Sequence, residues 1–368
     1  MMQTSVLTAY ARLLVHYCLE LQEGERLYVR STTLAEPLVR EVYREALAAG
    51  AFVETDLAIR EQSRLLLTMG SDEQLAFVPQ AFRQAMETYD AYLYIRAPFN
   101  LREDQNIDPE RSKKRSAALS GLMKTYFERT ATRDLKRSLC QYPTQAAAQN
   151  AGMSLEEYET FVYQACQLHT DDPEQAWLKV RKKQQAIVDH LNQCTQVHYK
   201  GPHVDLHFST KGRTWINSDG RTNMPSGEVY TSPLEDSVNG HIHFSLPGIY
   251  QGNEVEGVTL YIENGYIERW EARRGKEFLD HIFSLEGTRR FGEAAVGTNY
   301  QIDQITRNIL FDEKMGGTVH MAIGQSYLQA GGKNESPVHW DMITDMTDGG
   351  EIFADGEKIY ENGHFLLG

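Results

Sequence analysis

Hydrophobic positions recur along this chain with two different periods. Between residues 5 and 21, Leu7, Tyr10, Leu13, Leu14, Tyr17, Cys18 and Leu21 form a stripe spaced three and four apart that stops at Gly24, which predicts an amphipathic helix. Residues 26–30 read as a strand, 35–49 as a helix closed by Gly50, and 52–59 and 91–95 as two further strands. Strand, helix, strand in that order predicts parallel pairing. Residues 154–192 read as helical, opened by a capping box of Ser154 and Glu157, and the Lys/Gln-rich part 177–191 reads as a charged connector. Beyond Val197 the period shortens to two. Residues 204–208 and 258–262 alternate as strands, Glu263-Asn264-Gly265 predicts a hairpin turn, and a helix is expected over 275–286, where Phe278, Ile282 and Leu285 share a face.

Glycine usage marks the same change of grammar. Only Gly24, Gly50, Gly70, Gly121 and Gly152 precede position 196; the other 23 of the 28 glycines follow it. The expectation is an α/β protein in two parts. An N-terminal α/β domain with parallel-type strands and a linker helix covers 1–195, and a C-terminal strand-rich α+β domain carrying the functional site covers 196–368.

Composition narrows the function. A chain of 368 residues with 41% hydrophobic content can fill two cores. The formal net charge of -14 disfavours nucleic acid and anionic membranes, which would repel it. No apolar run approaches the roughly 20 residues needed to cross a bilayer, and Arg12, His16 and Glu20 interrupt the first helix, so a cytoplasmic protein is expected. The basic cluster Arg111, Lys113, Lys114 and Arg115 lacks interleaved aromatics and reads as a solvated face. Cys18, Cys140, Cys166 and Cys194 show no CxxC or His-paired spacing and read as small hydrophobes. A GxxxxGK[ST] loop, a strand-GxGxxG-helix unit, a GxSxG elbow and an HExxH helix are all absent, so nucleotide hydrolysis and serine esterase chemistry have no visible basis.

Candidate chemistry lies in the last third, where Glu228, Glu293, His320, His339 and Asp341 sit on short Gly-punctuated segments. Two Glu, two His and one Asp supply the mixed oxygen and imidazole set that Zn, Mn, Co or Fe takes. His339 and Asp341 are two apart, so on a strand both project to one face while Trp340 points to the other. His320 interrupts an otherwise apolar strand, where a lone His is more often a satisfied core residue than a ligand. Glu228 and Glu293 each follow a Gly and enter a small or apolar segment, and each taken singly also fits an exposed turn. Several carboxylates forced together would repel unless a cation neutralised them. Tyr327, seven residues after His320, is placed to donate to a developing oxyanion, or to serve as a buried aromatic.

On these residues the chain resembles the aminopeptidase T and aminopeptidase S family of thermophilic-type metalloaminopeptidases. The resemblance runs over nearly the whole sequence. It is carried by Asn223-Met224-Pro225-Ser226-Gly227-Glu228-Val229-Tyr230-Thr231-Ser232-Pro233, by Arg290-Phe291-Gly292-Glu293, by the run from His320 to Tyr327, and by the run from Gly331 to Ile343. It implies an N-terminal α/β domain, a C-terminal domain holding two divalent ions (Zn, Co, Mn or Mg), a homodimer with an inward-facing active site, and short peptides with a free N-terminus as substrates. It places metal ligation on Glu228, Glu293, His320, His339 and Asp341, and catalytic roles on Glu293, as bridging ligand or general base, and on Tyr327. Two intervals depart from the family pattern. Tyr327 to His339 is shorter, and Phe311-Asp312-Glu313 lies two residues further from its His.

The reaction this implies is removal of N-terminal residues by a water activated between two metals. Two alternatives stay open at this point. A mononuclear iron dioxygenase opening dihydroxypyridine rings would use His320, His339 and Asp341 alone. A noncatalytic peptide-binding scaffold would use none of the chemistry.

Overall fold

The computed structural model of the protein describes residues 2–367, with side chains from Val6 onward. It divides into two compact units, Met1–Glu174 with Gly220–Pro225, and Gln175–Asp219 with Ser226–Gly368. Among the described residues no helix is long and apolar enough to cross a membrane.

The first unit is built on a five-stranded parallel sheet of β1 (Arg26–Thr32), β2 (Phe52–Ala58), β3 (Ala91–Arg96), β4 (Lys136–Gln141) and the short β8 (Asn223–Met224), ordered β2-β1-β3-β4-β8. The expected α/β class and parallel pairing are present. Leu27 and Val29, with Leu93 and Ile95, are fully buried in this sheet, as a parallel strand covered on both sides requires. The first helix runs over Met2–Arg12 and continues as a wider π turn over Leu13–Cys18. Cys18, Cys140 and Cys166 are buried cysteines and Cys194 is half-buried, none of them in a disulfide.

The structure corrects two local readings. The helix expected over 154–192 is two helices, Leu155–Ala165 and Pro173–Leu191. Gln167 takes a left-handed φ of 58° between them, and Pro173 disfavours helical backbone at Asp172. The capping box of Ser154 and Glu157 is formed. The basic cluster lies on a 23-residue helix, Pro109–Ala131, that the hydrophobic pattern did not announce. Its lysines are solvated, but Arg115 donates to Leu75 O at 3.0 Å and Arg111 to the carbonyls of Leu67 and Gly70. These arginines satisfy carbonyls left open at helix C-termini.

The second unit holds two antiparallel sheets. An eight-stranded sheet contains β5 (Gln196–Gly201), β6 (Val204–Ser209), β10 (Asn239–Phe244), β13 (Val258–Glu263), β14 (Tyr266–Glu271), β18 (Glu351–Ala354), β19 (Glu357–Glu361) and β20 (His364–Phe365), in the order β14-β13-β10-β6-β5-β18-β19-β20. A five-stranded sheet contains β7 (Ile216–Ser218), β9 (Glu228–Thr231), β15 (Phe291–Gly297), β16 (Thr318–Gly324) and β17 (His339–Asp345), in the order β17-β16-β15-β9-β7. A small ribbon pairs β11 (Gly248–Tyr250) with β12 (Asn253–Val255). The predicted hairpin joins β13 to β14 through Asn264 and Gly265, both at positive φ, as a two-residue primed turn demands.

One core fills this unit. Leu206, Phe208, Ile242 and Leu260 of the large sheet meet Val296, Val319, Met321, Ile323 and Trp340 of the smaller one. The helix Pro173–Leu191 contributes Ile187, Val188 and Leu191 to that core. It is therefore no solvated connector, and the division between units falls at Glu174/Gln175, ahead of the boundary expected at 195. An apolar stripe diluted by Lys and Gln hid this role.

Candidate metal centre

Strand alternation places all five candidate ligands on one face of the five-stranded sheet. In β16, Val319, Met321 and Ile323 point into the core, so His320, Ala322 and Gly324 point the other way. Ala322 faces Asp341 of β17 and Gly324 faces His339, which puts that pair beside His320. On the other side Glu293 of β15 is opposite Ala322, and Gly297 of β15 is opposite Glu228 of β9. Four strands thus deliver Glu228, Glu293, His320, His339 and Asp341 to one surface. Between them lie Ala295, Gly297, Ala322 and Gly324, whose small side chains leave room above the sheet.

A β-bulge sets Glu293. The pairing of β15 with β16 slips by one residue between Phe291 and Glu293. With regular alternation these two residues, two apart, would share a face. The extra residue sends Phe291 to the core and Glu293 to the site. Gly292 is required at the slip, because a Cβ there would lie 2.1 Å from Gln325 O. Its own carbonyl accepts a hydrogen bond from Ser232 Oγ at 2.6 Å.

Glu228 is held from behind. Gln184, buried in the helix Pro173–Leu191, donates to the carbonyls of Glu228 and Ser218, each at 3.1 Å, and to Asn217 Oδ1 at 2.7 Å, while its own oxygen accepts from Thr298 Oγ1 at 3.0 Å. One buried amide thereby ties β7, β9 and the end of β15 together, with its hydrogen-bonding capacity used.

The donors converge in two overlapping sets. Glu228, Glu293 and His320 form one, and Glu293, His339 and Asp341 the other, with the donor atoms of each set within 4.8 Å of one another. His320 Nε2 is 3.5 Å from Glu228 Oε2 and 3.7 Å from Glu293 Oε1. His339 Nε2 is 3.2 Å from Glu293 Oε2 and 3.5 Å from Asp341 Oδ1. His339 Nδ1 lies 2.8 Å from Gln325 O, so an Nδ1–H donates there and Nε2 is left directed at the carboxylates. Glu228, Glu293 and His320 are buried; His339 and Asp341 are half-buried.

Two residues beyond the expected set complete the electrostatics. Lys314 is fully buried, with Nζ 3.7 Å from Glu228 Oε1 and in direct contact with the Glu313 carboxylate. Asp312 turns away and accepts from Thr306 N and Oγ1, each at 2.8 Å, so Glu313 is the acid of this segment that enters the site. No periodicity announces a buried lysine. The only signal for Lys314 is a lone cation directly after Asp312-Glu313 and before the small-residue run Gly316-Gly317.

Charges in this cluster shift one another. Burial pushes the Glu313 carboxyl up to about 8, with Lys314 opposing. Burial also raises Glu228, against Lys314 and His320. At His320 burial disfavours the cation, but Glu293, Glu228 and Asp341 outweigh it and push the imidazole up to about 9. At His339 burial is likewise outweighed, by Asp341 and Glu293, which push it up to about 12. Burial works against ionisation of Asp341, yet His339 above all holds it well below the usual carboxylate range. Burial, with Glu293, Asp341 and Glu313, raises the Tyr327 hydroxyl well above its ordinary value, so it keeps its proton as a donor. The Tyr327 ring packs edge-on to His339, centroids 4.9 Å apart, and 5.2 Å from Tyr230.

The residues fit a cation. Glu228 Oε2, His339 Nε2 and Asp341 Oδ1 are buried atoms with no hydrogen-bond partner among the described residues, the first in one ligand set and the other two in the second. Buried polar atoms are normally satisfied. Four carboxylates, Glu228, Glu293, Glu313 and Asp341, meet one ammonium, so bound divalent ions would neutralise the excess and displace the imidazole protons.

Comparison with known proteins agrees with this chemistry. A family model described as thermophilic metalloprotease (M29) matches residues 3–365. The chain is 28% identical to Aminopeptidase 2 of Geobacillus stearothermophilus over 410 residues, covering 98% of each protein. It is 27% identical to Aminopeptidase AmpS of Bacillus subtilis over 406 residues, again covering 98% of each. Its fold superimposes on wild-type AmpT from Thermus thermophilus with a TM-score of 0.85 at 22% identity, covering all of both chains. With the matched region spanning both units, the chain belongs to the thermophilic metalloprotease family M29.

Proposed function

We propose that this protein is a metal-dependent aminopeptidase that removes N-terminal residues from short peptides and works with two divalent ions. The observation that carries the reading is the pair of ligand sets sharing Glu293, which suits a carboxylate bridging two cations. Glu228 and His320 would complete one ion's protein ligands, and His339 and Asp341 the other's. When bound, the ions supply Lewis acidity and a water acidic enough to attack a peptide carbonyl near neutral pH.

The chain's own residues do the rest. Tyr327, kept protonated, donates a hydrogen bond to the carbonyl oxygen as charge develops on it. Glu293 fixes the spacing of the two ligand sets, and Gln184 and Lys314 hold Glu228 in place. A single-iron ring-opening reading would leave Glu228 and Glu293, both buried on the same face, without a role. A cytoplasmic homodimer acting on short peptides belongs to the same proposal, and the formal net charge of -14 would repel nucleic acid and anionic membranes as competing partners.

The test is amino-acid release from a panel of unblocked peptides, with N-acetylated peptides as controls and a chelated sample alongside. Cleavage of the free-amine set, lost on chelation and restored by Zn, Co or Mn, is expected. Tyr327→Phe should lower kcat by about 100-fold or more with metal content unchanged. Cleavage of acetylated and free peptides alike would overturn the exopeptidase assignment.

A further inference from the structure

The outer face of the eight-stranded sheet carries a second convergence of metal-binding side chains. In β5 and β6, Val197, Tyr199, Leu206 and Phe208 point into the core, so His198 and Lys200, with Asp205 and His207, point outward. His198 is the register partner of His207, and Asp205 lies two residues before His207 on the same face. His198 Nε2 is 2.7 Å from Asp205 Oδ1, and His207 Nε2 is 3.6 Å from that same oxygen. The two imidazoles stack with centroids 3.6 Å apart, and the three donor atoms lie within 4.8 Å of one another.

We propose that His198, Asp205 and His207 form a peripheral site for a divalent transition metal, separate from the buried centre. Donors bound at 2.0–2.2 Å in a tetrahedron stand about 3.3 Å apart. The 2.7 and 3.6 Å separations at Asp205 bracket that value, and an ion would enter as the stacked imidazoles rotate to turn their in-plane lone pairs toward it. Two imidazoles and one carboxylate select zinc, nickel or copper over calcium and magnesium, which take oxygen.

The platform is preset. Ladder pairing of β5 with β6 fixes the spacing of the three side chains before any ion arrives, and Phe353 of β18 stacks on the His198 ring at 5.9 Å. His198 and His207 border a shallow depression of about 300 Å³ whose lining also includes Lys200 and Phe353, into which a bound ion's open position would give. Water or a donor from another molecule would occupy it. An ion here clips β5 to β6 on a face that takes no part in the buried centre.

Chelator-stripped full-length protein, dialysed against micromolar Zn²⁺ and measured by elemental analysis, tests the site. Wild type should retain one ion per chain more than His207→Asn and more than Asp205→Asn, with circular dichroism confirming that each variant is folded and peptide cleavage unchanged. In a His320→Ala background, which disables the buried centre, the peripheral ion should remain. Substituting Co²⁺ should add a tetrahedral visible band that both outer-face variants lack. Equal ion counts in wild type and the folded variants, or retention only at millimolar Zn²⁺, would overturn the proposal.

Discussion

Lys314 shows how one residue conditions the whole centre. A fully buried ammonium between Glu228 and Glu313 replaces the solvation those carboxylates lose, and their charge in turn keeps it protonated despite burial. Removing one partner of such a group leaves the others buried and uncompensated, which costs about 3–5 kcal/mol. Lys314→Met should therefore lower the unfolding free energy of metal-stripped protein, read from chemical denaturation, by that order, and Zn²⁺ should recover only part of the loss. An unchanged unfolding free energy would mean that Glu228 and Glu313 are held by something other than this ion pair. Of the six residues read as ligands or catalytic partners from the sequence, none required knowledge of Lys314 to be named. His339 and Asp341 were legible because a spacing of two has one meaning on a strand.

At the scale of elements, the bulge in β15 decides whether Glu293 enters the centre at all. Gly292 packs against Gln325 O, where a Cβ would approach to 2.1 Å. Gly292→Ala should destabilise the protein by about 1–3 kcal/mol and lower metal affinity, because the strand must shift the residue that both ligand sets share. Thermal unfolding and metal titration of the same sample check both; normal metal affinity in the alanine variant would separate the bulge from the site. The helix Pro173–Leu191 makes a related point. Its charged surface reads as a connector, yet Gln184 on its buried side clamps the backbone of Glu228. A single buried amide has no sequence signature, whereas the periodic apolar stripes of the first helix and of β13 do.

For the molecule as a whole, the cluster makes stability depend on pH and on metal. Glu313, raised to about 8, and His320, raised to about 9, both bind protons more tightly folded than unfolded. Their contribution is complete below the unfolded values, near 4.5 for Glu and 6.5 for His, and is lost as pH rises through the folded values. Metal-stripped protein should thus lose melting temperature between about pH 5 and 9, and saturating Zn²⁺ should flatten that slope because the ion takes the place of the protons. A flat profile in the stripped protein would remove the charge-crowding account of the centre. The α/β class and the parallel pairing were readable from the chain because periodicity reports which way a side chain points, and residue type named the five candidate donors without showing that they meet. The bulge at Gly292, the Gln184 clamp, the buried Lys314 and the pairing of His198 with His207 were settled only by the folded form. Each depends on which strand lies beside which, and neighbours in a sheet are chosen by packing across the whole core rather than by any local run of residues.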